Sequence, residues 1–357
     1  MSAMPTPALE ERFAPETLSA AIAAPLAGKH VNLLGWDNGV GLSRDLQLLA
    51  EVLGGAGAEV TTTLFERNRA KSAGRAQVMR VRRLIHWMQR KVPTPRFDLN
   101  IMVEHLRPHY MGLARRNLFI PNPEWFPRRK IGTLDAVDTV LCKTEHGRHV
   151  FDELGCRTRL IGFTNQERLQ PRTSRQRSFF HLAGRSRTKG TQRLLDLWSR
   201  HPEWPTLTVV QHEDRVLAPC PAPNVRHRVG YIGEEELREL QNANIFHICP
   251  SETEGFGHYL CEALCVGAVT LTVDAAPMNE FVNDERGILV GYGSTGSQGL
   301  ATTYYFDDTA MERAVERAIA MSDREIETMG HNARAWYQAN DRRFRQTLPD
   351  IIGQLSG

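Results

Sequence analysis

The densest set of chemistry-bearing residues lies between Pro250 and Leu264, where Glu254, Gly255, Phe256, Gly257, His258 and Glu262 follow an apolar run that ends at Cys249. Two glycines in a turn let a ligand approach the backbone closely. A helical pattern that opens near Gly257 offers unpaired N–H groups and partial positive charge, a good seat for a phosphate or a sugar oxygen. Glu254 falls in the turn and Glu262 about one and a half turns into the helix. Eight helical residues span about 12 Å, more than the roughly 5–10 Å between two carboxylates that act on one glycosidic bond. The pair therefore suits gripping two ends of an elongated ligand better than acid–base hydrolysis. Upstream, Arg185 and Lys189 sit between Gly184 and Gly190, after one apolar run and before a helical pattern. Guanidinium and ammonium groups placed there can engage a pyrophosphate by charge-assisted hydrogen bonds.

Groups this far apart need elements that aim them at one place. Strand-like runs at 30–35, 59–65, 97–103, 136–142 and 158–163 alternate with helical patterns, among them one through Leu42, Leu46, Leu49 and Leu53 and one over 144–154. Such alternation predicts a parallel, doubly wound α/β sheet. The segment 166–177 has Pro171, four arginines and no period, and reads as a linker. A second series then predicts strands at 178–183, 206–211, 225–231, 245–249 and 269–273, with helices at 191–198, 234–243 and 258–266. The expected organisation is two α/β domains, 1–165 and 178–336, facing across a cleft, because ligands of open α/β sheets bind beyond the carboxyl ends of the strands. A last helical stretch runs from about 321 to 355, and its end, about 337–357, can pack back on the first domain.

Composition narrows the class. The chain has 357 residues with 41% hydrophobic and 24% charged content, ordinary for a globular protein of about two domains. No run approaches the roughly 18 apolar residues of a spanning helix, and Glu10, Glu11, Glu16 and Pro25 argue against a signal peptide. Six cysteines without a Cys-x-x-Cys pair fit a reducing cytoplasm. The net charge of +3 hides an asymmetry, with 23 Lys/Arg against 16 Asp/Glu in residues 1–165 and 21 against 25 in the rest. One half is thus expected to face something anionic, short of a general nucleic-acid binder.

The Glu254 to Glu262 segment, Ser-x-x-Glu-Gly-Phe-Gly followed by a second Glu eight residues after the first, resembles the Glu-x7-Glu signature of the GT-B retaining glycosyltransferases, the "group 1" or family-four set. The resemblance implies two Rossmann-like domains. It also implies that Glu254 contacts hydroxyls of a donor hexose and Glu262 the ribose of its nucleotide. The Gly184-Arg185 to Lys189-Gly190 stretch resembles that family's basic element, which places Arg185 and Lys189 on the departing phosphates. By the same layout Gly230 and Tyr231 lie beside the nucleobase. The stretch from Asp274 to Val282, with Ala275, Ala276 and Glu280, occupies the place where relatives carry Gly-Gly-x-x-Glu-x-Val but holds no glycine, and His258 stands where many carry an aliphatic residue, so the sugar subsite departs from the pattern.

In the first half, Gly39 and Gly41 resemble the family's glycine loop over the donor phosphates, and His105 the histidine that hydrogen-bonds the donor sugar. Lys143 ends a strand and points charge toward the cleft, with Thr144 as a helix cap. His105 and His109 lack a third ligand and are broken by Pro108, so no zinc site is expected. Between Arg67 and Lys91 nine basic residues and no acidic one interleave with Val78, Val81, Leu84, Ile85 and Met88, the pattern of a helix on anionic lipid. The expected function is metal-independent, retaining transfer from a nucleotide-diphosphate sugar to a saccharide or lipid-linked acceptor, in cell-surface polysaccharide or glycolipid assembly, with no cofactor and no specific nucleic acid. The alternatives are a sugar-nucleotide epimerase or hydrolase, or a non-catalytic nucleotide-sugar or nucleic-acid binder.

Overall fold

The computed structural model describes residues 24–36, 39, 41–65, 77–78, 95–217 and 220–357. The basic run from Arg67 to Lys91 lies outside the described residues apart from Gln77 and Val78, as do Asp37, Asn38 and Val40 of the glycine loop. No helix among the described residues is long and apolar enough to cross a membrane.

The first half forms a parallel sheet of β1 (His30–Gly35), β2 (Glu59–Leu64), β3 (Phe97–Val103), β4 (Ala114–Ile120), β5 (Thr139–Cys142) and β6 (Thr158–Leu160), in the order β2-β1-β3-β4-β5-β6. Helix α1 (Gly41–Gly55) follows β1 and α2 (Glu145–Glu153) follows β5. Thr144 caps α2, its hydroxyl accepting from Gly147 N at 3.0 Å. The second half repeats the plan with β7 (Gln176–Gly184), β8 (Leu207–Gln211), β9 (Val225–Val229), β10 (Asn244–Cys249), β11 (Val269–Val273) and β12 (Gly287–Val290), in the order β12-β11-β10-β7-β8-β9, again all parallel. Its helices are α3 (Thr191–Arg200), α4 (Glu234–Ala243), α5 (His258–Cys265) and the single turn α6 (Met278–Phe281). Strands β3, β10 and β11 are buried on both faces, which explains why they read as apolar runs without alternation.

Several bounds differ from the pattern-based expectation. Strand β5 starts at Thr139 because 128–136 is wound into 3-10 turns, and β6 stops at Leu160. Strand β9 ends at Val229 because Gly230 takes φ 106°, a turn conformation open to glycine. Strand β4 was not evident in the pattern, since its first half is Ala-Arg-Arg-Asn. Nor was the antiparallel hairpin of β13 (Tyr292–Gln298) and β14 (Ala301–Phe306), whose first strand is exposed and rich in Gly, Ser and Thr.

After α7 (Asp308–Ala320), helix α8 (Asp323–Leu355) has 33 residues and so runs about 50 Å. A capping box of Ser322 and Glu325 starts it. Its early turns pack on α5 and its later turns on α1, where Arg345 pairs with Glu51 at 2.8 Å, and Lys29 Nζ donates to Ser356 O at 2.9 Å. The helix therefore touches both halves. Between them Phe163 is a hub, with ring centroids 5.2 Å from Phe256 and 5.0 Å from Phe344, so one continuous apolar core runs from β1 and α1 through to β11 and α8.

Candidate functional site

The carboxyl end of β10 leads into the turn that carries Glu254 and then into α5. Gly257, at φ 85°, starts the helix, and its backbone lies against Glu254: a Cβ there would sit 3.3 Å from Glu254 Cγ. The next loop over, between β7 and α3, delivers Lys189. Gly190 (φ 62°) passes so close to Pro250 that a Cβ would lie 2.8 Å from its carbonyl oxygen, which locks the two loops together. Lys189 Nζ donates to Glu254 Oε1, which also accepts from Ser251 Oγ, and stands 3.3 Å above the Tyr259 ring centroid. Sequence reasoning assigned Lys189 and Glu254 to one site, and the structure puts them in direct contact. Burial pushes the Tyr259 phenol well above its ordinary range, so it stays neutral.

Glu262 is 1% exposed and its carboxylate is fully engaged. Oε1 is 3.0 Å from both Arg44 Nη1 and Arg168 Nε, and Oε2 accepts from Gln241 Nε2 at 2.7 Å. Burial alone would raise this carboxyl, but the two guanidiniums outweigh it and hold Glu262 below the usual carboxylate range. Arg44 and Arg168 also meet Glu234, at 3.0 and 2.7 Å, which closes a ring of four charges from α1, the 166–177 segment, α4 and α5.

Beside this ring Asp45, 3% exposed, receives Lys143 Nζ at 2.5 Å and His258 Nε2 at 2.6 Å. Burial pushes Asp45 up, and Lys143 and His258 more than offset it, leaving the carboxyl below its ordinary value. Lys143 also donates to Asn122 Oδ1 at 3.2 Å, and Asn122 Nδ2 to Glu104 Oε2 at 3.0 Å. Asn122 abuts Gly255 so tightly that no Cβ fits between them. Glu280 accepts from the first amides of α2, Glu145 N at 2.8 Å and His146 N at 2.7 Å. Helix start and carboxylate thus meet across the two halves.

The remaining expected residues fall in three places. His105 follows β3, its ring 5.1 Å from Trp36; burial, with Arg107 and Lys130 nearby, lowers it to about 4, so it is neutral at pH 7. Gly41 lies by His258, a Cβ there being 3.7 Å from His258 Cδ2, and Gly39 N donates to Ser43 Oγ at 2.8 Å. Phe256 is buried in the core rather than offered to a ligand. Arg185 is half-exposed and paired with Asp214 at 3.2 Å, apart from the Lys189–Glu254 contact; Gly230 and Tyr231 form the open rim after β9, Tyr231 being 88% exposed.

Sequence reasoning missed Arg44, Asp45, Asn122, Glu124, Arg168 and Gln241. Asp45 carried a signal: it stands with Leu42, Leu46 and Leu49 on the apolar face of α1, where a carboxylate needs a buried partner. Arg168 had none, because its segment has no period. Trp36 Nε1, His105 Nδ1, Glu124 Oε2, Thr253 Oγ1 and His258 Nδ1 are buried without a hydrogen-bond partner. Orphaned polar atoms at loop ends of both sheets are what a polar ligand would satisfy. Among the described residues no group of three or more His, Cys, Asp or Glu could hold a metal ion.

Residues 166–336, which carry Arg168, Lys189, Glu254 and Glu262, match the family described as glycosyl transferases group 1. The match covers just under half of the chain. The described residues have the GT-B fold. Sucrose-phosphate synthase from Thermosynechococcus elongatus superposes with a TM-score of 0.66 at 16% identity, covering 92% of this chain and 99% of that one. HepE from Anabaena, in complex with UDP and glucose, gives 0.62 at 14% identity, covering 91% and 100%. A glycosyltransferase from Rickettsia africae gives 0.64 at 11%, covering 92% and 99%. No curated protein matches the chain in sequence. In the matched region the Glu254 turn and the Lys189 loop stand side by side at the carboxyl ends of adjacent strands, β10 and β7.

Proposed function

We propose that the chain moves a sugar from a nucleotide-diphosphate donor to an acceptor hydroxyl, with retention of anomeric configuration and without a metal. The observation that carries this reading is the Lys189–Glu254 contact at the start of α5. A diphosphate entering there offers Lys189 a stronger partner and releases Glu254 toward the sugar hydroxyls. The α5 amides and Arg185 add positive charge where negative charge grows on the leaving phosphate. The acceptor oxygen bonds to the anomeric carbon, the bond to the diphosphate oxygen breaks on the same face, and the departing phosphate takes the hydroxyl proton. The sequence has no Asp-x-Asp motif, so Lys189, Arg185 and the helix amides carry the neutralisation. HepE, which shares the fold, is known with UDP and glucose bound, which supports a nucleotide sugar as donor.

The acceptor is a saccharide or a lipid-linked saccharide of cell-surface assembly, and the basic run from Arg67 to Lys91 would bring the enzyme to an anionic membrane face. A thermal-shift screen with UDP-glucose, UDP-N-acetylglucosamine, GDP-mannose and ADP-glucose tests the donor. A ligand at about 100 times its Kd adds about 2.7 kcal/mol, and Lys189→Ala or Glu262→Ala should remove the shift. No shift with any nucleotide sugar would refute the reading.

A further inference from the structure

Glu124 lies in the single turn Pro123–Trp125 that follows β4, on the same end of the first sheet as His105 and Lys143. It is 8% exposed, and its Oε2 is buried without a hydrogen-bond partner. The turn is pinned from both sides. Asn122, two residues earlier, abuts Gly255 in the Glu254 loop and joins Lys143 to Glu104. From the other side comes the β13–β14 hairpin: Leu300 N donates to Pro123 O at 2.9 Å, Arg128 Nε donates to Gly299 O at 3.2 Å, and Gly299 at φ 59° leaves no room for a Cβ, which would be 2.6 Å from Glu124 O. The same hairpin is tied to the second half by Tyr304 N donating to Glu252 O at 2.7 Å. Glu124 is thereby held rigidly between the loop that carries Glu254 and the first sheet, with one oxygen left over. The nearby cation, Lys143, is already committed to Asp45 and Asn122.

We propose that Glu124 is an acceptor-positioning residue: its carboxyl O–H, at Oε2, donates a hydrogen bond to the attacking hydroxyl oxygen, so that the free lone pair of that oxygen faces the sugar held by Glu254 and its own proton stays available to the departing phosphate. This assignment rests on the glycosyl-transfer reading and specifies its acceptor side. Its chemistry fits the place. Burial, reinforced by the charges of Glu254 and Glu104 and only partly relieved by its own backbone amide and Lys143, pushes Glu124 up to about 8. A neutral carboxyl at pH 7 positions a hydroxyl without adding negative charge beside a diphosphate. Glu254, paired with Lys189, and Glu124, without a cation of its own, are two carboxyls in contrasting settings within one site.

The test compares full-length wild type with Glu124→Gln and Glu124→Ala, using whichever of UDP-glucose, UDP-N-acetylglucosamine, GDP-mannose or ADP-glucose the wild type binds, and water as the acceptor. Donor hydrolysis is measured from pH 6 to 9.5 and donor Kd by calorimetry. The expected result is a fall in kcat of about tenfold for Glu124→Ala, with donor Kd within about twofold. The wild-type pH profile should break near pH 8, and that break should be absent in Glu124→Gln, which keeps the hydrogen-bonding shape but does not titrate. Equal kcat and the same break in all three proteins would overturn the role while leaving glycosyl transfer intact. Parallel loss of donor affinity and fold in both variants would make Glu124 a structural residue and overturn it too. A wild type that binds none of the four donors would instead remove the transfer reading on which the assignment rests.

Discussion

At Asp45 the Lys143 ammonium and a ring nitrogen of His258 converge on one buried carboxylate, and the consequence for stability has a definite sign. The folded carboxyl lies below its ordinary 3.8, as Glu262 lies below 4.5. Each therefore contributes stability that is fully present above those values and is lost as pH falls through the lower folded pKa. Glu124 runs the opposite way. Its folded pKa is raised from 4.5 to about 8, so it favours the unfolded chain increasingly as pH rises from 4.5 toward 8. Asp45→Asn strips the countercharge from Lys143, itself 6% exposed, and a buried ion left without its partner costs about 3–5 kcal/mol. Melting curves from pH 3 to 9 should show Asp45→Asn destabilised at pH 7, with a weaker acid dependence below pH 4 than wild type. Glu124→Gln should melt above wild type at pH 8 and converge with it near pH 4.5. An acid limb in Asp45→Asn as steep as that of wild type would show that the cluster carries no linked stability.

Among the elements, the strands whose faces are both buried were legible, because burial on two sides leaves an unbroken apolar run; Phe97–Val103 and Val269–Val273 have the expected bounds. The Lys189 and Glu254 loops were legible for a related reason. A strand end, a glycine with positive φ and a helix start are all local features. What was not legible is whatever depends on the other half of the chain: Asn122 against Gly255, Arg44 on Glu262, Glu280 on the amides of α2. None leaves a trace in local periodicity. The β13–β14 hairpin is the extreme case, since its exposed strand has no buried face to impose alternation. Its contact with the first half makes a prediction about that element alone. Gly299 combines φ 59° with a hypothetical Cβ 2.6 Å from Glu124 O and 2.7 Å from Pro123 O. Gly299→Ala should therefore cost about 1–3 kcal/mol and raise hydrogen exchange in 292–306 and 121–128 together. Exchange that rises in the hairpin but not at 121–128 would show that the contact does not hold the two segments.

On the scale of the whole molecule, neighbouring residues of one helix, Arg44 and Asp45, hold the two halves together through Glu262, Glu234 and His258. This clasp occupies the carboxylate that the transfer reading gives to the ribose. Both Glu262 oxygens are taken and the residue is buried, so a ribose diol can reach Glu262 only after Arg44 withdraws. Arg168 stays, being buried and fixed by the same two glutamates. Arg44, with 38% of its side chain exposed, is the detachable member: its pair with Glu234 is exposed and worth roughly 0–1 kcal/mol, and Glu262 keeps Arg168 and Gln241 when Arg44 leaves. The two contacts of Arg44 therefore favour the clasped arrangement yet are weak enough for a ligand to displace, which is what a population shift requires. Arg44→Ala should tighten UDP binding by about threefold to tenfold, and raising salt from 0.05 to about 0.5 M should tighten wild-type binding relative to the variant, because the clasp is screened. Calorimetric titration of both proteins with UDP at two salt concentrations decides the matter. Weaker binding in Arg44→Ala would make Arg44 a ligand of the nucleotide rather than its competitor, and equal binding would mean that Glu262 is not where the ribose sits.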